Sequence, residues 1–559
     1  MTRFLSPLLF LVLLAATPTA LAQQEEVLPD LTPREFVIRG DATVSLPTIE
    51  RQPLSGFGPP PRTYVIPAER NPAVAPYGQD FAQLPPAPMA APRDPALAEA
   101  DARFVRLDVL AGRYASRRVG LDAFAPIGRA ALFVELDYED LDRFRPSIPG
   151  GADTISTPYD ALTYRAGFRT RGPYRFGVSA AGFADTYSLI GERFVFSTAT
   201  APFDRRGRGT SFEAFASGEA ATALPFELGV RYETTRYDLS HRTLAADAAP
   251  ELSDGRLGVR GRIELFQRRV VADGEFTSLN TGVATGPDLQ TYSGGGAFRI
   301  EFGSGMFELG ARALGYTASD ANGGGFSNVV APIVRFELSP SPGLRLFANT
   351  DGRVKPRNYR DLYLENPYAS LSPVLAPQLV QADGRAGFAV QRELLAFRAY
   401  GLGTLSPVHQ YWSRQEDGLF RPEYTTARIL GGGAEATISE LGGASLTAGF
   451  EFRDAMLTEL GARVPYYAPI VASAAVRAPF LNNRLNLGAA ARYEASRPRS
   501  LDGSDTVGGF ALLSADASFE LIRYASVLLR GERLLGSAEQ WEGFPRPPFT
   551  VMAGLRLSY

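Results

Sequence analysis

The chain contains no cysteine. Disulfide bonds and thiolate metal sites are therefore excluded. Only two histidines occur, His241 and His409. A histidine-based metal centre or a catalytic triad has to draw on one of them, and both are read as residues of long links between strands. Charge of one sign is also missing, because 57 basic residues nearly balance 60 acidic ones. No concentrated basic face of the kind that binds nucleic acid follows from that balance. Beyond residue 22 no run reaches the roughly 18 consecutive apolar residues that a membrane-crossing helix needs. What is present excludes disorder: 45% of residues are hydrophobic and 11% aromatic, too many for a chain that cannot form a core. With 21% charged residues spread along its length, the chain does not read as a helical membrane protein either.

The first 22 residues form a unit of their own. Arg3 supplies a positive start, Leu8 to Ala16 an apolar run, and Ala20 and Ala22 the small residues at the −3 and −1 positions of a cleavage site. This is the pattern of a secretory signal peptide, with the mature chain beginning at Gln23. Residues 23–102 differ again. Pro59-Pro60-Pro61, Pro85-Pro86, Pro88, Pro92 and Pro95 lie there, and proline favours extended, solvated backbone. One run, Glu35 to Leu46, is strand-like. Two readings stand for this segment. It is a disordered periplasmic leader, open to a periplasmic partner, or it packs into or under a barrel lumen on Tyr64, Tyr77 and Phe81.

From Arg103 to the end the residues alternate in twos. Leu132, Val134, Leu136 and Tyr138 alternate with Phe133, Glu135, Asp137 and Glu139. Phe226, Leu228, Val230 and Tyr232 alternate with Glu227, Gly229, Arg231 and Glu233. The same pattern holds from Leu257 to Leu265, from Ser445 to Arg453 and from Leu485 to Glu494. Successive strand side chains point to opposite faces, so each run is a strand with one apolar and one polar side. The polar sides carry Arg and Glu together with Gly and Ser, as the wet lumen of a membrane barrel requires, and the apolar sides suit lipid. The runs span about 10–15 residues, close to the 9–11 that a tilted strand needs to cross a bilayer.

The connections form an independent pattern. Pro126-Ile127-Gly128, Arg171-Gly172-Pro173, Gly303-Ser304-Gly305, Pro340 to Gly343, Leu441-Gly442-Gly443 and Asn482-Asn483 are short and have turn chemistry. They alternate with long links, among them Asp142 to Pro158, Ile190 to Arg206, Ser240 to Pro250, Asn358 to Gln378, Ser406 to Leu419, Arg497 to Gly508 and Leu534 to Arg546. Short turns at one end and long loops at the other are the habit of outer-membrane barrels. The count comes to about 22 strands, an even number that leaves both termini in the periplasm. Tyr138, Tyr164, Tyr187, Tyr232, Tyr316, Tyr466, Tyr467 and Tyr493 are candidates for interfacial girdles.

The last strand sharpens the assignment. Phe549, Val551, Ala553, Leu555, Leu557 and Tyr559 fall on one face, and the chain ends on an aromatic residue. This resembles the closing strand of bacterial outer-membrane β-barrels, which implies that Phe549, Leu555, Leu557 and Tyr559 are read by the barrel-assembly machinery. The size of about 22 strands is that of plugged outer-membrane transporters. A further segment carries a more specific likeness. Lys355-Pro356-Arg357-Asn358-Tyr359-Arg360-Asp361-Leu362-Tyr363, then Glu365-Asn366-Pro367-Tyr368, then Leu375-Ala376-Pro377, resembles the "R…L…NP.L.PE" loop and strand start of TonB-dependent receptor barrels, with Gln378 where that family usually has Glu. The resemblance implies an outer-membrane location of the Gram-negative type, contact with outer-membrane lipid, and passage or uptake of a solute. Residues 23–102 are too short and too rich in proline for the plug domain that such receptors carry, and no TonB-contact box stands near Gln23.

No catalytic, cofactor or metal constellation stands out. Gly294 to Gly296, Gly323 to Gly325 and Gly431 to Gly433 do not precede helices, so they are not phosphate-cradling loops; they relieve crowding or allow curvature. Glu139, Asp140 and Asp185 read as members of a salt-bridged lumen, and Asp361, Glu365, Glu416 and Asp417 as loop acids rather than cation ligands. The expectation is an all-β transmembrane barrel over residues 103–559. It serves solute passage, or it is a sealed anchor whose loops or leader bind a protein. A hydrolase built on His241 or His409 is the third alternative.

Overall fold

The computed structural model describes residues 104–141, 159–170, 172–189, 203–218, 224–241, 251–266, 269–281, 288–319, 325–370, 373–392, 394–416, 418–441, 443–534, 541 and 549–559. The signal-peptide residues Ala20 and Ala22 and the segment 23–102 lie outside them.

The alternating runs form strands β1 (Phe104–Gly112), β2 (Arg117–Ile127), β3 (Ala130–Leu141), β4 (Tyr159–Thr170), β5 (Tyr174–Leu189) and β6 (Phe203–Gly218). There follow β7 (Phe226–His241), β8 (Glu251–Leu265), β9 (Val270–Thr281), β10 (Asp288–Phe302), β11 (Gly305–Ser319) and β12 (Gly325–Ser341). Next come β13 (Leu344–Lys355), β14 (Gln378–Gln391), β15 (Leu395–Arg414), β16 (Phe420–Leu441) and β17 (Ala444–Leu457). The series ends with β18 (Ile470–Phe480), β19 (Leu485–Glu494), β20 (Phe510–Ile522), β21 (Ala525–Glu532) and β22 (Thr550–Ser558). Each strand pairs antiparallel with its sequence neighbours, and β1 pairs with β22 from Arg106↔Ser558 to Gly112↔Met552. The result is a closed barrel of 22 strands. Closure leaves no edge, so every strand finds partners on both sides.

Because neighbours alternate in direction, Phe104 at the start of β1 and Tyr559 after β22 lie at the same end of the barrel, which is also the end of the short turns. Glycine and asparagine make those turns possible. Gly128, Gly303, Gly343 and Gly443 have positive φ, and Leu481, Asn482 and Asn483 take consecutive left-handed conformations between β18 and β19. The opposite end carries the long links.

The faces separate as the alternation requires. Val105, Leu132, Leu228, Val230, Tyr232, Phe450, Val551, Leu555 and Leu557 are exposed on the outer surface. An apolar belt open to the surroundings on a closed barrel is the lipid-facing design. Leu228→Arg is therefore expected to lower stability by about 2–4 kcal/mol if it lies near the bilayer midplane. Urea-dependent folding into lipid vesicles measures this, and an unchanged midpoint would mean that this face does not meet hydrocarbon.

The structure corrects several expectations. The strands run from 8 residues in β21 to 22 in β16, wider than the expected range. At about 3.3 Å per residue and a tilt near 40°, the 20 residues of β15 rise roughly 50 Å, well beyond a hydrocarbon core. The β15–β16 hairpin thus stands above the wall. His241 closes β7 and His409 lies within β15, so neither is a loop residue. Tyr466 is buried against Phe420 and Trp541 rather than facing lipid. Tyr467 hydrogen-bonds to Arg453 across 3.3 Å. Tyr164, Tyr232 and Tyr493 are exposed on the outer face. Finally, the link between β13 and β14 contains a helix, α1 (Tyr359–Glu365).

Candidate functional site

The site is built where the chain leaves β13. Lys355 and Gln378 are paired in the ladder, so residues 356–377 form an excursion from two adjacent strands. Pro356 halts the strand by removing a donor. Asn358 then caps α1. Its side-chain oxygen accepts from the Asp361 amide at 2.8 Å, and the Asp361 carboxylate accepts from the Asn358 amide at 3.2 Å. This reciprocal capping box satisfies two amides that a helix start leaves orphaned.

The excursion does not stand out in solvent. It turns inward and crosses to the far wall. There the Asn358 side-chain amide donates to Glu233 at 2.8 Å, and the Tyr359 amide donates to Asp254 at 3.0 Å. Arg256 joins Glu233 at 3.0 Å to Asp361 at 2.9 Å. Arg205 of β6, 1% exposed, donates to the carbonyl oxygens of Pro367 at 2.6 Å and Ala369 at 2.8 Å. Its guanidinium lies 3.8 Å over the Tyr363 ring. Charge-assisted bonds of this kind are about twice as strong as neutral ones, and burial keeps salt from screening them.

The near wall is gripped as firmly. Arg357 pairs with Glu365, which also accepts from the Trp412 indole at 2.9 Å. Tyr424 donates to the Val374 carbonyl at 3.1 Å and accepts from the Ala376 amide at 3.2 Å. The Phe420 amide of β16 donates to the Tyr368 carbonyl at 2.9 Å, and the Phe420 carbonyl accepts from the Ser370 amide at 2.7 Å. Between the walls runs one continuous apolar cluster. Phe183, Tyr237, Leu252, Leu279 and Leu289 on β5 and β7–β10 meet Tyr359, Leu362, Tyr363 and Tyr368 of the excursion, and these meet Trp412, Phe420, Tyr466 and Trp541. The cluster spans the lumen at the long-link end.

Both tryptophans of the chain, 6.0 Å apart, belong to this cluster. Their fluorescence therefore reports on docking. Glu365→Ala leaves the Arg357 guanidinium buried without its partner, at a cost of about 3–5 kcal/mol. A red-shifted emission is expected, and an unmoved spectrum would show that Glu365 does not hold the segment. Tyr363 gives a pH signature. Burial pushes its phenol above the ordinary value, and the nearby Arg205 offsets only part of that shift. The docked form holds the proton more tightly, so docking is at full strength below a pH of about 10 and weakens as pH climbs beyond it. Alkaline titration of the tryptophan emission follows this.

Below the cluster the lumen wall is a mesh of ion pairs. Arg299 bonds Glu308 at 3.0 Å, Arg312 bonds Asp351 at 2.8 Å, Arg353 bonds Asp383 at 2.7 Å, and Arg556 bonds Asp108 at 2.7 Å. Glu139 and Asp140 do not form one acid site: they lie on opposite faces of β3, beside Arg118 at 3.6 Å and Arg117 at 3.9 Å. Asp361 and Glu365 are taken up by helix capping and by Arg256, Arg357 and Trp412, not by a cation geometry. Glu416 is exposed, and Asp417 lies outside the described residues. The His409 imidazole is hydrogen-bonded to Gln378 at 3.0 Å, and the Ser406 hydroxyl donates to backbone carbonyl oxygens. The Gly431–Gly433 run lies within β16, where a Cβ on Gly433 would come within 2.7 Å of the Tyr400 ring. That glycine clears space for Tyr400 to reach Glu451 at 2.7 Å.

The terminal residues are placed as follows. Leu555 and Leu557 face outward, and Tyr559 exchanges backbone bonds with Val105 at 2.8 and 3.0 Å. Phe549, just before β22, lies under the Arg113 guanidinium at 4.6 Å. Arg205, which clamps the excursion, has no signal in the sequence that separates it from the other arginines of β6.

No family model matches the sequence, and no curated protein matches it. Solved structures do. The FrpB iron transporter from Neisseria meningitidis superposes with a TM-score of 0.64 at 12% identity, over 84% of this chain and 83% of that one. The copper transporter OprC gives 0.61 at 14% identity, over 82% and 80% of the two chains. The ferric yersiniabactin uptake receptor FyuA from Yersinia pestis gives 0.59 at 12% identity, again over 82% and 80%. The barrel shares its fold with these proteins, in line with the resemblance to TonB-dependent receptor barrels carried by residues 355–378.

Proposed function

We propose that the chain is an outer-membrane barrel for the uptake of a polar solute, with a lumen closed at its long-link end by residues 356–377. The observation that carries this is the inward excursion anchored on both walls. A passive pore has no use for a segment that fills its opening, and a plain anchor has no need of a lumen lined with mixed charges. Both termini then face the periplasm, because the end with short turns is the periplasmic end of such barrels. Residues 23–102 hang there and meet a periplasmic partner or enter the lumen. The face of Phe549, Leu555, Leu557 and Tyr559 is what the assembly machinery reads, and Ala20 and Ala22 mark the cleavage site. Transport, not catalysis, is the activity.

Ion conductance in a planar bilayer, with and without residues 23–101, tests this. Low conductance in the intact chain and brief openings after the deletion support a gated path. Steady conductance from the intact chain means an ungated pore. No conductance from any form, with heat-modifiable migration proving a folded barrel, leaves the sealed interaction barrel as the reading.

A further inference from the structure

The barrel closes strand by strand, yet β12 and β13 are joined over only part of their length. Their pairing runs from Ser341↔Leu344 to Val334↔Thr350 and stops there. Toward the long-link end, Gly325 to Ile333 of β12 pair with β11 alone. The Val330 carbonyl points to the open side, where the Gln381 side chain of β14 donates to it at 3.2 Å. By the alternation of an antiparallel ladder, the amides of Asn328 and Val330 and the carbonyls of Asn328 and Pro332 turn to that side too. Among the described residues they meet no strand. Pro332 has no amide to leave unpaired, and such an edge is where a sheet tolerates proline.

The upper part of β13 leaves the wall for the lumen. Gln381 and Ala382 of β14 both stand opposite Gly352, because the register passes from Asp351↔Asp383 to Arg353↔Val380. A bulge of this kind bends the strands. There the Arg312 side chain of β11 donates to the Gly352 carbonyl at 3.0 Å and pairs with Asp351 at 2.8 Å. Gly352 lies so close over β12 that a Cβ would collide with the Ala331 side chain. Leu314, Ala331 and Leu379 form a small buried core, with Val354 packed against it. This tucked stretch of β13 ends at Lys355, where the excursion begins.

We propose that the free edge of β12 is the seat of β13 in a second, open state: when the excursion leaves the lumen, β13 swings outward and zips onto β12. The present register continues without a break to Pro332↔Gly352, Val330↔Val354 and Asn328↔Pro356. Both prolines then take part through their carbonyls alone. About four backbone bonds form, one at each proline and two between Val330 and Val354. They offset the loss of the Arg312 contacts and of the small core. A second copy does not fit this edge, because two barrels in one membrane run β12 the same way and cross it at about twice the strand tilt. The latch rests on the gated uptake reading. It adds that the lumen opens along its axis while the wall seals toward lipid.

The chain has no native cysteine, so cysteine pairs report the two positions. In the mature chain in detergent, Val330→Cys with Gln381→Cys reports the tucked arm, and Val330→Cys with Val354→Cys the zipped one. The probe is a short bis-thiol reagent, since residues opposite on a ladder have Cβ atoms about 4.5–5.5 Å apart. In the otherwise intact chain the first pair should crosslink at least about tenfold faster than the second. Glu365→Ala, which frees the excursion, should reverse that order. Exchange of residues 356–377 for an Asn-Gly turn should reverse it independently. Heat-modifiable migration proves each form folded. Equal rates in the intact chain, or an order that neither release variant reverses, overturns the latch. A reversed order with no conductance in any form keeps the latch and removes the uptake reading. Gated conductance with an unmoved order keeps the uptake reading and removes the latch.

Discussion

Replacing residues 356–377 by an Asn-Gly turn opens the lumen. Lys355 and Gln378 are already partners in the ladder, so a two-residue hairpin joins β13 to β14 without disturbing a pairing. Removing the excursion takes the helix and its half of the apolar cluster from the lumen. A barrel of about 22 strands is wide enough to need plugging. Conductance of the form without residues 23–101 should therefore rise about tenfold or more and become steady. A milder variant separates release from deletion. Arg205→Ala leaves the carbonyl oxygens of Pro367 and Ala369 without their donor. Each buried orphan costs about 1–3 kcal/mol, and every 1.4 kcal/mol is about tenfold in an equilibrium. Arg205→Ala should therefore raise the open fraction at least tenfold and shift the tryptophan emission to the red. An Arg205→Ala chain that stays closed and blue-emitting would mean that the near-wall contacts at Glu365, Trp412 and Tyr424 suffice alone. A deletion that stays closed would place the obstruction elsewhere in the chain.

The barrel was legible because its signal is periodic and local. Leu132 to Glu139 and Phe226 to Glu233 announce two faces without any tertiary knowledge, and the order of short and long links fixes the parity. The excursion was legible only in part. Its motif marked residues 355–378, but a seven-residue helix held by Asn358 and Asp361 gives no periodic signal. Its docking depends on Arg205, Asp254 and Arg256, which lie more than 100 residues upstream in sequence. Long-range polar contacts leave no mark in a single sequence, since every lumen strand carries arginine and acid for its own reasons. The misplacement of Tyr466 has the same origin. A tyrosine after a strand suits a lipid interface or an inner cluster equally well, and only Trp541 and Phe420 beside it decide.

Gly554→Leu should stop the barrel from closing. Gly554 sits opposite Leu110 on the seam of β1 and β22. A Cβ there would lie 1.8 Å from the Val109 carbonyl oxygen and 2.7 Å from the Leu110 Cα, both backbone atoms that cannot swing aside. Overpacking within a core costs about 1–3 kcal/mol because side chains give way. Here the strands themselves must part. That exposes the amides of β1 and β22 to hydrocarbon, where each unpaired group costs several kcal/mol. It also undoes the bidentate bond of Arg556 to Asp108, at 2.7 Å for each nitrogen, and the small core of Leu110, Leu528 and Met552. The expected result is loss of the compact, heat-modifiable band for Gly554→Leu. Gly261→Leu on β8, where a Cβ meets nothing within 4 Å, should keep it. Tyr559→Ala then separates the two roles of the last strand. The side chain is 84% exposed and its bonds to Val105 are made by the backbone, so folding into vesicles should be unchanged. If the terminal face is a signal to the assembly machinery, the same variant should accumulate unassembled in cells. Normal assembly would mean that β22 acts through closure alone.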